Sequence, residues 1–296
     1  MTNIQHHVIS HISDRIYGVA GYYSDNDSTQ HVVVATYDGS LYEIHWNSTT
    51  APTPPQWLWQ FSGIHSLSGF FTSDDNFQHV IVATEDGRLH ELYFTTPQQV
   101  HPRSPLFQLP TTGPHIGMAG FYAPAGNGLR HATVGGADSI LHEVVWSAQI
   151  TPTVRNLATQ FNLPDVAAIA GFYAQDNQSR DVIVAMQGGS VFDVHYSGAG
   201  GSTTDLVTTL SPPLVNVAAF VSTDSWYRHV IVLHSSGQLY DYSYTPQQVF
   251  GLTPLVSIAN VVDIVGYYSA YDQMRHVILA THDGNIHEVY YGQLGR

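Results

Sequence analysis

The chain has 296 residues, 43% of them hydrophobic and 11% charged, with a formal net charge of −14. It contains no cysteine, and all nine basic residues are arginine, which excludes disulfides, thiolate chemistry, cysteine-ligated zinc and lysine-based Schiff-base or P-loop chemistry. The acidic balance opposes binding to nucleic acid and to anionic membranes.

The opening segment, MTNIQHHVISHISDR, lacks a basic region followed by an apolar run. No stretch approaches the roughly 18 apolar residues of a membrane span, so no membrane insertion is expected. The expected location is cytoplasmic, or outside the cell without a classical signal peptide. Within this segment QHHVISHI reads as an isolated strand.

From there one unit recurs six times, at a spacing of about fifty residues. Each unit opens with a strand rich in small residues: YGVAGYY, HSLSGFF, IGMAGFY, AAIAGFY, VNVAAFV and VDIVGYY. Small side chains suit an innermost strand, where neighbouring sheets converge. A hairpin phrase follows, beginning HVVVATYDGSLYEIHW at His31 and HVIVATEDGRLHELYF at His79. It recurs from His131, Asp181, His229 and His276. β-Branched and aromatic runs flank an Asp-Gly pair or its equivalent, the strongest short-range hairpin signal. The Pro-rich stretch TTAPTPPQ reads as a loop after the first hairpin. A weaker fourth strand then follows: WLWQF, PLFQL, NLATQF, DLVTTL and PLVSI. The last copy ends at Tyr291 without one, and QHHVISHI fits the gap. These features predict an all-β, six-bladed β-propeller: one domain over residues 1–296, with four-stranded antiparallel blades and a ring closed by the N-terminal strand.

An acid recurs in every third strand: Glu43, Glu91, Glu143, Asp193, Asp241 and Glu288. A tight turn on the Asp-Gly pair puts Glu43 on one sheet face with Val34 and Leu41, and His31 with Tyr42 on the other. A buried carboxylate needs a partner. The acids therefore either accept hydrogen bonds from Tyr, His or backbone groups of an adjacent blade, or bind ligand.

The second strand opens on His31, His79, His131, His229 and His276, with Asp181 in the fourth unit. Arginine precedes it at Arg130, Arg180, Arg228 and Arg275, and glutamine at Gln30 and Gln78. Aromatics close the third strand at Trp46, Phe94, Trp146, Tyr196, Tyr244 and Tyr291, and the first strand at Tyr23, Phe71, Tyr122, Tyr173 and Tyr268. These groups meet at one end of each blade. Either they cover the blade ends, or they form up to six equivalent shallow pockets in which aromatic faces stack on a sugar and polar groups take its hydroxyls. On the second reading, Trp46→Ala and Trp146→Ala weaken glycan binding without unfolding the ring.

This layout resembles that of the β-propeller lectins, whose sugar sites lie between blades. The resemblance spans the whole chain and rests on repeat architecture. It implies a multivalent carbohydrate-binding protein with glycans or glycoconjugates as partners and no cofactor. Two other readings use the same frame. One is a protein-interaction scaffold. The other is a metal-dependent hydrolase or lactonase-like enzyme with a single axial site, where Asp263 and Asn216 on inner strands, with His115, would hold calcium or zinc. No GxSxG, HExxH or Walker motif is present.

Overall fold

The computed structural model describes residues 4–47, 49–109, 117–124, 128–135, 141–157, 166–186, 188–197, 200–207 and 214–292. They form six four-stranded antiparallel sheets, and no helix long and apolar enough to cross a membrane occurs among them. Blade one runs from the axis outward through Ile16–Ser24, Thr29–Thr36, Ser40–Trp46 and Gln56–Gln60, with residues 49–55 in the expected loop. The innermost strands touch one another in chain order, and the first touches the last. Strand Gln5–His11 pairs antiparallel with Asn285–Tyr291 and completes the sixth blade. The predicted propeller and its closure are thus both present, and closure covers a sheet edge that would otherwise be open.

Blades stack face to face, so second strands are buried on both sides; every residue of Thr29–Thr36 and Gln78–Thr84 is buried. Toward the axis the packing leaves no room for side chains at some positions. A Cβ added at Gly69 would lie 2.7 Å from the Tyr22 ring, which explains the small residues of the inner strands.

Two expectations need correction. Four outer strands start several residues earlier than their apolar phrases suggest: His101–Gln108, Thr153–Asn156, Gly200–Val207 and Val249–Ser257. Most of NLATQF lies outside the described residues. Outer strands expose one face, so apolar content marks them poorly and pairing with the third strand defines them.

The second correction concerns register. The first hairpin has a three-residue loop, Tyr37-Asp38-Gly39, between strands ending at Thr36 and starting at Ser40. Gly39 donates its N–H to the Thr36 carbonyl at 2.9 Å and sits at φ 86°, the left-handed position that closes such a loop. Val33, not Val34, therefore stands opposite Glu43. A shift of one residue flips every side chain, so Glu43 shares its face with His31.

Candidate functional site: the clefts between blades

The corrected register sorts the recurring residues into two rows. On one face of blade one Tyr22, His31 and His45 stand side by side; on the other, Tyr23, Gln30 and Trp46. The first face of each blade meets the second face of the next. The residues singled out from the sequence do come together, but across the gap between two blades rather than within one.

On the first face a buried imidazole is held between a ring and a carboxylate. His31 stacks on Tyr22, His79 on Phe70, His131 on Phe121, His229 on Phe220 and His276 on Tyr267. Each Nδ1 lies 2.8–3.0 Å from an oxygen of Glu43, Glu91, Glu143, Asp241 or Glu288, twelve residues on. The next blade adds a donor. The Trp146 indole donates to Glu91 at 3.1 Å, Tyr244 to Asp193 at 2.7 Å, Tyr291 to Asp241 at 3.1 Å, and Tyr196 to Glu143.

This arrangement corrects the reading of the closing aromatics. Trp46, Phe94, Trp146, Tyr196, Tyr244 and Tyr291 are buried between blades, so none offers a face to a sugar. The histidines are likewise buried. Glu43, Glu91, Glu143, Asp241 and Glu288 take a hydrogen bond from a histidine of their own blade, and Glu91, Glu143, Asp193 and Asp241 one from an aromatic of the next.

Blade four exchanges the pair. Asp181 stands in the histidine position, and His195 on the third strand supplies the imidazole, its Nδ1 2.9 Å from Asp181. Asp193 is then buried near a second carboxylate. Burial, reinforced by the charge of Asp181, pushes its pKa up to about 7. A carboxyl raised in the folded state stabilises when protonated, and that contribution is lost as pH rises from the unfolded value near 3.8 through about 7. Asp193→Asn keeps an acceptor for Tyr244 without the charge. It is expected to exceed the parent in stability by roughly 2–4 kcal/mol at pH 8, with the gap closing toward pH 4. Urea unfolding at both pH values checks this, and equal stabilities at pH 8 would contradict it.

The residue before each histidine also links blades. Tyr22 donates to Gln78 at 3.0 Å and Tyr267 to Gln30 at 2.9 Å. Where the inner strand carries Phe70, Phe121, Phe172 or Phe220 instead, the next blade carries Arg130, Arg180, Arg228 or Arg275. Arg130 pairs with Asp74 and Asp75, Arg228 with Asp176 at 3.3 Å and Arg275 with Asp224 at 2.7 Å, all on a loop of the preceding blade. Arg180 reaches Glu143 at 3.5 Å and lies over the Tyr196 ring. A buried guanidinium must be paired. Arg130, Arg228 and Arg275 are therefore committed to inter-blade bonds, whereas the Arg180 side chain keeps 14% exposure.

The first-strand aromatics point elsewhere. Tyr23, Phe71, Tyr122, Tyr173 and Tyr268, with Val221 and Trp226, line a cavity of about 370 Å³ around the axis. Arg275 lies over Tyr268, 5.4 Å from its centroid. Deeper along the axis a second space of about 280 Å³ is lined by Asn216, Asp263 and His65. Asp263 accepts from Val19 N at 2.8 Å, Ile264 N at 2.9 Å and Asn216 Nδ2 at 2.6 Å. Its carboxylate ties blades five, six and one together, and burial pushes its pKa up to about 6. Both oxygens accept hydrogen bonds, so Asp263 and Asn216 form a structural knot; His115, the third residue of the axial metal reading, lies outside the described residues.

What the clefts offer to solvent is the set of groups packed against the second oxygen of the acid, which is itself buried. Arg103 Nη1 lies 3.3 Å from Glu91 Oε2 and His7 Nε2 3.1 Å from Glu288 Oε2, while Arg155 pairs with Glu143 Oε2. These side chains are 37–46% exposed. Tyr93 stacks between His79 and His101, and Tyr290 stacks on His276. Arg103, Arg155, Tyr93, His101 and Tyr290 were not singled out from the sequence. A signal existed: His45, Tyr93, His195 and Tyr290 each stand two residues beyond the acid, on its own face. Arg103, Arg155 and His7 lie on outer strands whose register the sequence does not show.

No protein-family profile matches the chain, and no curated protein does. Solved structures do. A mutant of AofleA from Arthrobotrys oligospora superposes with a TM-score of 0.73 at 11% identity, covering 100% of this chain and 91% of that one. A mutant Aleuria aurantia lectin in complex with α-methyl-L-fucoside gives 0.70 at 10% identity, covering 95% and 93%. BP39L lectin from Burkholderia pseudomallei gives 0.63 at 16% identity, covering 94% and 82%. The chain therefore shares the fold of these proteins, described for the Aleuria aurantia lectin as a six-bladed β-propeller.

Proposed function

We propose that the protein is a multivalent lectin whose sugar sites are the clefts between blades, with fucose-type sugars as the ligand class. The observation that carries this reading is a carboxylate repeated at every blade junction. One oxygen is fixed by buried groups, and in three clefts the other is held against an exposed arginine or histidine. Such a buried carboxylate holds the arginine or histidine in place, the held group donates to ring or hydroxyl oxygens, and the faces of Tyr93 and Tyr290 cover the apolar side of the sugar. The fold supports the reading, since propellers of this architecture include lectins solved with α-methyl-L-fucoside and with Fucα1-6GlcNAc. Sites of this kind are individually weak and gain strength together on a surface carrying many glycans.

The test is a glycan array comparing the parent with the double variant Arg103→Ala, Arg155→Ala. Both side chains are partly exposed, so the fold is expected to survive. Apparent avidity for fucosylated surfaces is expected to fall roughly tenfold or more as two clefts are lost. Undiminished binding, or no binding of any fucoside by the parent, would refute the proposal.

A further inference from the structure

Blade one differs from the others in a way the glycan reading does not use. At the acid's second oxygen, blades two and three place Arg103 and Arg155, and blade six places His7. In blade one the outer-strand residue opposite Glu43 is Gln56, whose side-chain oxygen is engaged by Gln98 at 3.3 Å. The second oxygen of Glu43 instead faces His45 Nδ1 at 3.7 Å. That nitrogen is shielded from water and has no hydrogen-bond partner. The separation is too long for a hydrogen bond. Two metal–ligand bonds of about 2.0–2.1 Å, meeting at an ordinary coordination angle, span roughly 3.3–3.6 Å.

We propose that His31 Nδ1, Glu43 and His45 Nδ1 form a binding site for a zinc-class divalent metal ion. The three ligand atoms lie within 4.8 Å of one another, the only such group among the described residues. Two imidazoles and a carboxylate are a favourable donor set for Zn²⁺, and a water would complete the tetrahedron. A supporting carboxylate is also at hand. Asp27 Oδ2 lies 3.3 Å from His31 Nε2, a charge contact short of an aligned hydrogen bond, and its carboxylate on the far side of the ring favours Nδ1 as the ligand atom. Metal binding displaces the proton shared between His31 Nδ1 and Glu43 into solvent. The repeat supplies internal controls. The position of His45 holds Tyr93, Val145, Ser243 and Tyr290 in four other blades. Blade four has His195 there but Asp181 in place of the first histidine.

The experiment uses the untagged full chain, stripped with chelator and titrated with Zn²⁺ by calorimetry, with Co²⁺ absorption as a second readout. The expected result is one ion per chain with micromolar or tighter affinity and a tetrahedral Co²⁺ spectrum. His45→Tyr copies the arrangement of blades two and six and is expected to weaken binding about 100-fold while the metal-free unfolding midpoint stays near the parent's. His45→Gln serves in its place if the tyrosine does not fold. Two results would overturn the site: no stoichiometric ion, or an ion that survives both His45 variants and is lost in His6→Ala. The second would place it at the exposed His6–His287 pair, whose nitrogens lie 3.0 Å apart. Neither result bears on glycan binding, which the array reads separately.

Discussion

Trp146→Ala is expected to lower the free energy of unfolding by about 3–5 kcal/mol, the range for removing a large aromatic from a packed interior. Trp146 is fully buried between blades two and three, packed with Phe70, Ile81 and Leu89 of the preceding blade. Its indole N–H also donates to Glu91, so truncation opens a cavity and strips a donor from a buried carboxylate. Trp146→Phe separates the two effects. Phenylalanine already fills this position in blade two as Phe94, so the space is retained and only the hydrogen bond is lost. The cost should fall to about 1–2 kcal/mol. Denaturant unfolding of both variants checks the order. An alanine variant as stable as the parent would contradict the account of the junction.

The second large effect concerns closure. Deleting residues 1–11 removes the strand that covers Asn285–Tyr291 and takes His7 from Glu288. An unpaired strand edge recruits other chains. The truncated protein is expected to unfold lower by on the order of 10 °C and to form dimers or larger species, as light scattering would show. A synthetic peptide carrying QHHVISHI, added in trans, should restore much of the loss. A monomer with an unchanged midpoint would show that the sixth blade stands without its outer strand.

The architecture was legible because it is written six times. Each copy repeats the small-residue strand, the hairpin and the acid, and the missing last strand has its counterpart at the start of the chain. The site was less legible for two physical reasons. The Asp-Gly pair suggested a two-residue turn. The actual three-residue loop, with Gly39 left-handed, moved Glu43 to the other face, and with it the whole assignment of neighbours. The decisive hydrogen bonds also join different repeats. Trp146 to Glu91 spans 55 residues and Tyr22 to Gln78 spans 56. No local pattern announces such a bond, although the alternation of Tyr with Gln and Phe with Arg across successive units is its trace. The closing aromatics and most arginines thus bind blades to one another. The first-strand aromatics gather at the axis, and the solvent-facing side of the clefts falls to residues such as Tyr93, Arg103 and Arg155.

The central claim is that binding sites repeat with the blades. Its most direct measurement is a crystal structure of the protein soaked with α-methyl-L-fucoside, with the number of sugars per chain counted independently by native mass spectrometry. More than one sugar per chain is predicted, each seated at a blade junction against Glu91, Glu143, Glu288 or an equivalent acid. One sugar per chain, lodged in the aromatic cavity around Tyr23 and Tyr173, would contradict it.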